Sequence, residues 1–166
     1  VDNQSLKFQL ENGKLLDSSE LEKISHQISY IGQETSLFQL SLKENISLQN
    51  SITDSQFQVL CKQVGLEKWI NQSTEFDNIL STASGGEKRR IDLARLLFFD
   101  REILLFDEPT AGLDSQNRLK VEEVVKQLEN KLIVYSTHQY DEEFMQQFDY
   151  CLEIKDGNIV MREIKA

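Results

Sequence analysis

Two short apolar runs constrain the fold of this chain more than any other feature of its sequence. Residues 103–106 read ILLF and residues 132–135 read LIVY. Parallel strands have this pattern when helices cover both faces of their sheet, because both faces are then buried. Between the runs, residues 118–129 space their apolar side chains as a helix does. We therefore predict an α/β fold with a mostly parallel sheet and fully buried strands.

The rest of the chain predicts a helical region with β-hairpins before and after it. Residues 5–16 alternate apolar and polar around Asn12-Gly13, and residues 150–164 surround Asp156-Gly157, which are typical hairpin turns. Residues 28–33 predict a strand that runs into a loop. We divide the chain into a β-rich segment (1–35), a helical subdomain (36–99) and a core (100–166). The apolar residues that we assign to the core of the helical part are Val59, Leu60, Val64, Leu66 and Trp69.

Polar residues follow both apolar runs. Asp107 and Glu108 come directly after the first, and Ser136, Thr137 and His138 after the second. Ligands of open parallel sheets bind beyond the carboxyl ends of the strands. A carboxylate there suits Mg²⁺ together with phosphate oxygens, and a second one could act as general base on a water. Taken alone, the two acids could also end a turn and the histidine could cap it.

A helix start precedes the first run. Ser84 and Glu87 have the spacing of a capping box, and a helical apolar pattern follows. The start of a helix offers free N–H groups and a positive dipole end. Because Gly85 and Gly86 have no side chain, an anion could approach closely. A plain helix cap is the alternative for these four residues alone.

Four segments together resemble the ATP-binding cassette (ABC) ATPases. ILLFDEPTAGLD resembles their Walker B motif and D-loop, SGGEKRRIDLAR their signature motif, YIGQ their Q-loop, and the histidine of VYSTH their switch histidine. All four occur in the family's order between Gln33 and His138. The resemblance implies a RecA-like P-loop NTPase core with a mostly parallel sheet, a helical signature subdomain and antiparallel β edges. It implies ATP and Mg²⁺ as ligands.

The resemblance also implies roles for the residues at the strand ends. Asp107 would bind Mg²⁺ through its water shell, and Glu108 would polarise the attacking water. His138 would contact the γ-phosphate. Gln33 would reach the metal and the water while sensing a membrane domain.

The signature residues would serve a second ABC ATPase domain in a head-to-tail dimer. By resemblance, Ser84, Gly85, Gly86 and Glu87 would face the partner's ATP, and Asp114 would cross the dimer interface. The family's usual form is Leu-Ser-Gly-Gly-Gln. This chain has alanine in the first place and glutamate in the last, which puts negative charge near a phosphate unless the glutamate caps its own helix.

A phosphate-binding G-x-x-x-x-G-K-[ST] motif is missing from the sequence. Only one of the seven glycines, Gly13, precedes a lysine, and Leu15 stands where Ser or Thr should be. We expect the chain to be truncated at its N-terminus, with Walker A upstream of Val1, and to bind and hydrolyse little ATP by itself. A degenerate subunit that does not hydrolyse ATP is the alternative.

Residues 37–48, LFQLSLKENISL, resemble the segment that follows the Q-loop in exporters. We predict the ATPase domain of an ABC exporter, a soluble domain on the cytoplasmic side of the cell membrane. Its Q-loop region would contact a transmembrane domain. The alternatives are a soluble ABC-type ATPase of assembly or repair, such as iron–sulfur cluster assembly, and a silent partner in a heterodimeric transporter.

Composition and charge indicate which partners the chain can bind and in which cellular compartment it resides. The net charge of −10 argues against binding to nucleic acid, which rewards a basic surface. No apolar run approaches the length of a membrane span. Cys61 and Cys151 lie far apart without metal-ligand spacing, so we predict buried thiols in a reducing compartment.

Overall fold

The computed structural model describes residue 22, residues 24–70 and residues 83–164. The hairpin predicted around Asn12-Gly13 lies outside these ranges. The elements in chain order are β1 (Ile28–Ile31), α1 (Leu42–Ser47), α2 (Asp54–Gln63), a 3-10 turn (Glu67–Trp69), α3 (Gly85–Phe99), β2 (Ile103–Asp107), α4 (Ser115–Lys126), β3 (Leu132–Ser136), α5 (Glu142–Met145), β4 (Tyr150–Lys155) and β5 (Asn158–Glu163).

The predicted parallel sheet is confirmed. Its strand order is β1-β2-β3, with both pairs parallel. The predicted crossover helix is α4, which begins three residues earlier than expected. It does so because the Asp114 carboxylate accepts a hydrogen bond from the Asn117 N–H and thereby caps the helix. All three strands therefore end at one edge of the sheet, where their polar residues meet.

The prediction of fully buried strands was wrong for β3. Its residues alternate between exposed and half-buried, and Leu132 and Val134 are 61% and 52% exposed. Ile133 and Tyr135 pack against the core from the other face. Leu132 and Val134 lie on the opposite, more exposed face of the strand.

The predicted C-terminal hairpin is confirmed as the antiparallel pair β4–β5, with Lys155 opposite Asn158 at its turn. It forms a two-stranded sheet of its own. Within the described ranges, it is not hydrogen-bonded to the parallel sheet.

The helical subdomain packs α1 and α2 on α3, around a core shared with the sheet. Leu60, Val64, Leu66 and Trp69 are buried as predicted, but Val59 is 52% exposed. The inward face of α2 carries Phe57, Leu60 and Cys61. A residue two positions after Phe57 points to the opposite side of a helix with 3.6 residues per turn, so the assignment of Val59 to the core was wrong.

Across the described residues, no helix is both long and apolar enough to span a bilayer.

Candidate functional site

The Asp107 carboxylate lies at the carboxyl end of β2 and is held from both neighbouring strands. The Ser136 hydroxyl on β3 donates to Asp107 Oδ1 at 2.9 Å. The Tyr30 hydroxyl on β1 donates to Oδ2 at 3.2 Å. Partial desolvation of the exposed Tyr30 side chain, then the hydrogen bond and charge of Asp107, raise the pKa of Tyr30. The carboxylate is therefore fixed in place before any ligand arrives.

Glu108 turns away from the strand and meets His138. Its backbone has a φ of +46°, a conformation that is uncommon for a residue with a side chain. Its N–H donates to both the carbonyl and the hydroxyl of Ser136, at 3.2 and 3.0 Å. The His138 Nε2 lies 2.7 Å from Glu108 Oε1, and the side chains are 85% and 24% exposed. The carboxylate is thus sheltered and oriented, while the imidazole stays open to solvent.

The strand ends suit a magnesium ion that is shared with a phosphate ligand. Across the described residues, no group of three or more His, Cys, Asp or Glu side chains is arranged to hold a metal ion by itself. Mg²⁺ keeps several waters and takes one or two carboxylates plus substrate phosphates. Asp107, with the Ser136 hydroxyl beside it, fits this requirement.

The predicted capping box at the start of α3 is confirmed. The Glu87 N–H donates to the Ser84 hydroxyl oxygen at 3.3 Å, and the Ser84 N–H donates to Glu87 Oε2 at 2.8 Å. Glu87 Oε1 also pairs with Lys68. Burial raises the pKa of Glu87, but its bonds to Lys68 and Ser84 outweigh burial and lower it overall. Glu87 is directed into its own helix, while Ser84 and Gly85 are exposed.

The two signature glycines have different surroundings. A Cβ on Gly85 would meet no atom within 4 Å, so the surface in front of it is open. A Cβ on Gly86 would lie 2.6 Å from Asn117 Cγ. The Asn117 side chain donates to Asp114 Oδ2 at 2.6 Å and accepts from Arg90. Gly86 therefore lets α4 and the predicted D-loop residue Asp114 approach the signature helix.

Gln33 lies just beyond β1 and is exposed. Its carbonyl, together with that of Gly32, accepts from the guanidinium of Arg89. Its side chain makes no hydrogen bond to any described residue.

The predicted site residues form two groups. Asp107, Glu108 and His138 come together at the strand ends, and Asp114 lies beside the start of α3. Across the described ranges, no hydrogen bond or ion pair joins these groups. Sequence reasoning missed Tyr30, Arg89 and Asn117, whose sequence patterns are those of ordinary strand and helix residues.

Comparison with known proteins identifies the family. A family model described as ABC transporter matches residues 2–111. The glutathione/L-cysteine transport system ATP-binding/permease protein CydC of Haemophilus influenzae is 33% identical over 147 residues, which are 84% of this chain and 25% of that protein. The energy-coupling factor transporter ATP-binding protein EcfA2 of Mesomycoplasma hyopneumoniae is 39% identical over 99 residues, 58% of this chain and 31% of that protein. The lactococcin-G-processing and transport ATP-binding protein LagD of Lactococcus lactis is 32% identical over 127 residues, 72% of this chain and 18% of that protein.

The chain thus spans less than a third of the length of these relatives. Among solved structures, its fold is similar to that of the ATP-binding cassette MJ0796, in a dimeric post-hydrolysis state bound to ADP and Pi. The TM-score is 0.73 with 24% identity, over 98% of this chain and 75% of that one. At this identity the likeness establishes the fold, and the family model establishes the kinship: this chain belongs to the ABC transporter family.

Proposed function

We propose that this chain is the catalytic part of an ABC transporter's ATPase domain, which couples ATP hydrolysis to movement of a solute across a membrane. The observation that carries the proposal is the contact between Glu108 and His138, 2.7 Å apart, beside the fixed carboxylate of Asp107. A base for the water, a side chain that can donate to the phosphate and a metal ligand, all at the carboxyl edge of one parallel sheet, are among the groups that enzymes use for phosphoryl transfer to water.

The proposed reaction is attack of a water oxygen on the γ-phosphorus of ATP. The bond from that phosphorus to the β–γ bridging oxygen breaks, and ADP and phosphate leave. Glu108 accepts the proton of the water, a role suited to a sheltered carboxylate that His138 orients. Mg²⁺, bound at Asp107, would supply positive charge to the phosphate oxygens.

His138 would exchange partners during the reaction. Its Nε2 lies 2.7 Å from Glu108 Oε1, and the exposed imidazole can turn to donate to a γ-phosphate oxygen instead. Gln33, at the same edge of the sheet, would contact the metal and the water. Its exposed side chain, which bonds no described residue, can reach them.

The start of α3 would contact the ATP that is bound by a second ABC ATPase domain in a head-to-tail dimer. Ser84 and Gly85 are exposed there, and the space before Gly85 is open. Free N–H groups and the positive end of the helix dipole favour a phosphate at this position. The buried Glu87 does not oppose it, because its charge is paired with Lys68. Asp114, beside Gly86, would lie in the same interface.

The transporter is proposed to be an exporter, with this domain on the cytoplasmic side of the membrane. The support is the sequence of residues 37–48, which follow the Q-loop and lead into α1. The names of the three relatives above all join transport with ATP. Because the sequence lacks G-x-x-x-x-G-K-[ST], the 166-residue chain alone is expected to bind ATP weakly and to be inactive.

The test uses the full-length gene product, recovered from cells and reconstituted in lipid vesicles. We expect ATP hydrolysis that stops when EDTA removes Mg²⁺ and resumes when Mg²⁺ is restored. An active protein found wholly in the soluble fraction would contradict the transporter and favour the assembly or repair class. A membrane protein that binds ATP without turnover would contradict the enzyme and favour a silent partner.

A further inference from the structure

The Arg89 side chain joins the signature helix to the Q-loop backbone. Its Nη1 donates to the carbonyl of Gly32 and its Nη2 to the carbonyl of Gln33. The residue is only 4% exposed. Burying a guanidinium is costly unless its donors are satisfied, so a side chain that served packing alone would be apolar here. Arg89 instead gives partners to two consecutive carbonyls that have left the sheet.

Two further charged residues on the same face of α3 extend this connection. Asp92 and Arg95 follow Arg89 at intervals of three, so all three lie along one stripe of the helix. Arg95 donates to Asp92 Oδ1 at 2.8 Å, and Asp92 Oδ2 lies 3.9 Å from Arg89 Nη1.

Arg95 forms hydrogen bonds to the segment that follows the Q-loop. Its Nε donates to the Asn45 carbonyl at 2.6 Å and its Nη2 to Asn45 Oδ1 at 3.0 Å. The Asn45 side chain in turn donates to the carbonyls of Phe38 and Leu40, at 3.1 and 2.8 Å. Residues 32–45 are therefore tied to α3 at both ends.

This connection leads directly to the signature residues. Arg89 lies five positions after Ser84, which is about 7.5 Å along a helix with a 1.5 Å rise per residue. A helix transmits displacement as a rigid rod over that distance. A shift of the Gly32–Gln33 backbone would then strain the two hydrogen bonds to Arg89 and pull on the start of α3.

We propose that Arg89 is a positioning residue of the ATPase: through the carbonyls of Gly32 and Gln33 it fixes Gln33 relative to the signature helix, so that the two move together. This proposal rests on the ATPase function proposed above. Asp92 and Arg95 connect Arg89, and the segment that follows Gln33, to the same face of α3. A partner that displaces residues 33–45 would thereby displace Ser84.

The first test is kinetic and uses the full-length gene product. We expect Arg89→Met to lower kcat for ATP hydrolysis at least tenfold and to change KM for ATP less than threefold, because Arg89 touches no ligand. Since Arg89 acts through Gln33, adding Arg89→Met to Gln33→Ala should slow the enzyme less than twofold further. Losses that multiply in the double variant would overturn the proposal, because independent sites are additive in free energy.

The second test measures mobility by ¹⁵N relaxation of the 166-residue chain and does not depend on ATP hydrolysis. We expect backbone order parameters at residues 33–35 to fall from about 0.8 to below about 0.6 in Arg89→Met, with those of residues 91–98 unchanged. Arg89→Lys should give intermediate values, because lysine keeps the charge but lacks the planar fork that presents two pre-oriented donors to the two carbonyls. If Arg89→Met does not fold, the Arg89→Lys variant by itself still tests the proposal.

Arg118→Met is the matched control, since it removes an arginine that pairs with Glu122 on α4, at 2.7 Å. It should leave residues 33–35 as rigid as in the wild type. Unchanged order parameters in both Arg89 variants, or loosening of all of α3, would overturn the proposal. A wild-type gene product without ATP hydrolysis would contradict the proposed function instead, and the relaxation data would still decide the role of Arg89.

Discussion

Replacing the two adjacent signature glycines by alanine should have opposite effects on stability. Both glycines lie in the first turn of α3, and neither has a positive φ. At Gly85 the new methyl group meets nothing within 4 Å. Alanine also costs less backbone entropy than glycine, so Gly85→Ala should stabilise the chain by about 0.5–1 kcal/mol.

At Gly86 the same methyl group collides with Asn117. Its Cβ would lie 2.6 Å from Cγ and 2.9 Å from both Nδ2 and Oδ1. The Asn117 side chain cannot move aside freely, because it bonds Asp114 and Arg90. Overpacking costs about 1–3 kcal/mol and a bond to a charged group about 1.5–3 kcal/mol. After the helix-propensity gain, we expect Gly86→Ala to destabilise the chain by about 1–3 kcal/mol.

Thermal unfolding followed by circular dichroism measures both effects. At about 2–4 °C per kcal/mol for a chain of this size, Tm should rise about 1–4 °C for Gly85→Ala and fall about 2–12 °C for Gly86→Ala. Equal shifts in the two variants would refute the close approach of α3 and α4. In the full-length gene product, Gly85→Ala should still lower ATP hydrolysis, because its methyl group fills the space proposed for a phosphate.

Three further predictions concern stability and reactivity. Because the pKa of Glu87 is lowered in the folded chain, its stabilisation is complete at neutral pH and is lost as pH falls below about 4. The difference in unfolding free energy between wild type and Glu87→Gln, measured by denaturant titration, should therefore shrink on acidification. Leu60→Ala should cost about 2–5 kcal/mol in the same assay and Val59→Ala less than about 1, because only Leu60 is buried; equal costs would contradict the orientation of α2. Burial raises the pKa of Cys61 to about 12, so iodoacetamide at pH 8 should label the half-buried Cys151 first, as mass spectrometry of the peptides would show.

Local patterns in the sequence predicted the parts of the site that depend on local contacts. The capping box joins Ser84 to Glu87 within one turn, so its spacing is visible in the sequence. Asp107, Glu108 and His138 could be grouped because parallel strands end at one edge of the sheet. No contact between distant residues had to be known for either prediction.

The residues that were missed depend on distant contacts. Tyr30 bonds a carboxylate 77 positions away, and Arg89 bonds a carbonyl 57 positions away. Only the register of β1 against β2 and the packing of α3 on the Q-loop reveal these pairs. The exposure of Leu132 and Val134 was missed for a related reason, since an apolar run indicates burial but not which element covers it.

The most direct test of the account is the rate of ATP hydrolysis by the full-length gene product with Glu108→Gln. Glutamine keeps the shape of the side chain but cannot accept a proton from water, so we predict a loss of at least about 100-fold in kcat. ATP should still bind. Glu123→Gln, at an exposed position on α4, is the control and should be as active as the wild type. A loss below about tenfold in Glu108→Gln would contradict the assignment of the strand-end cluster as the catalytic site.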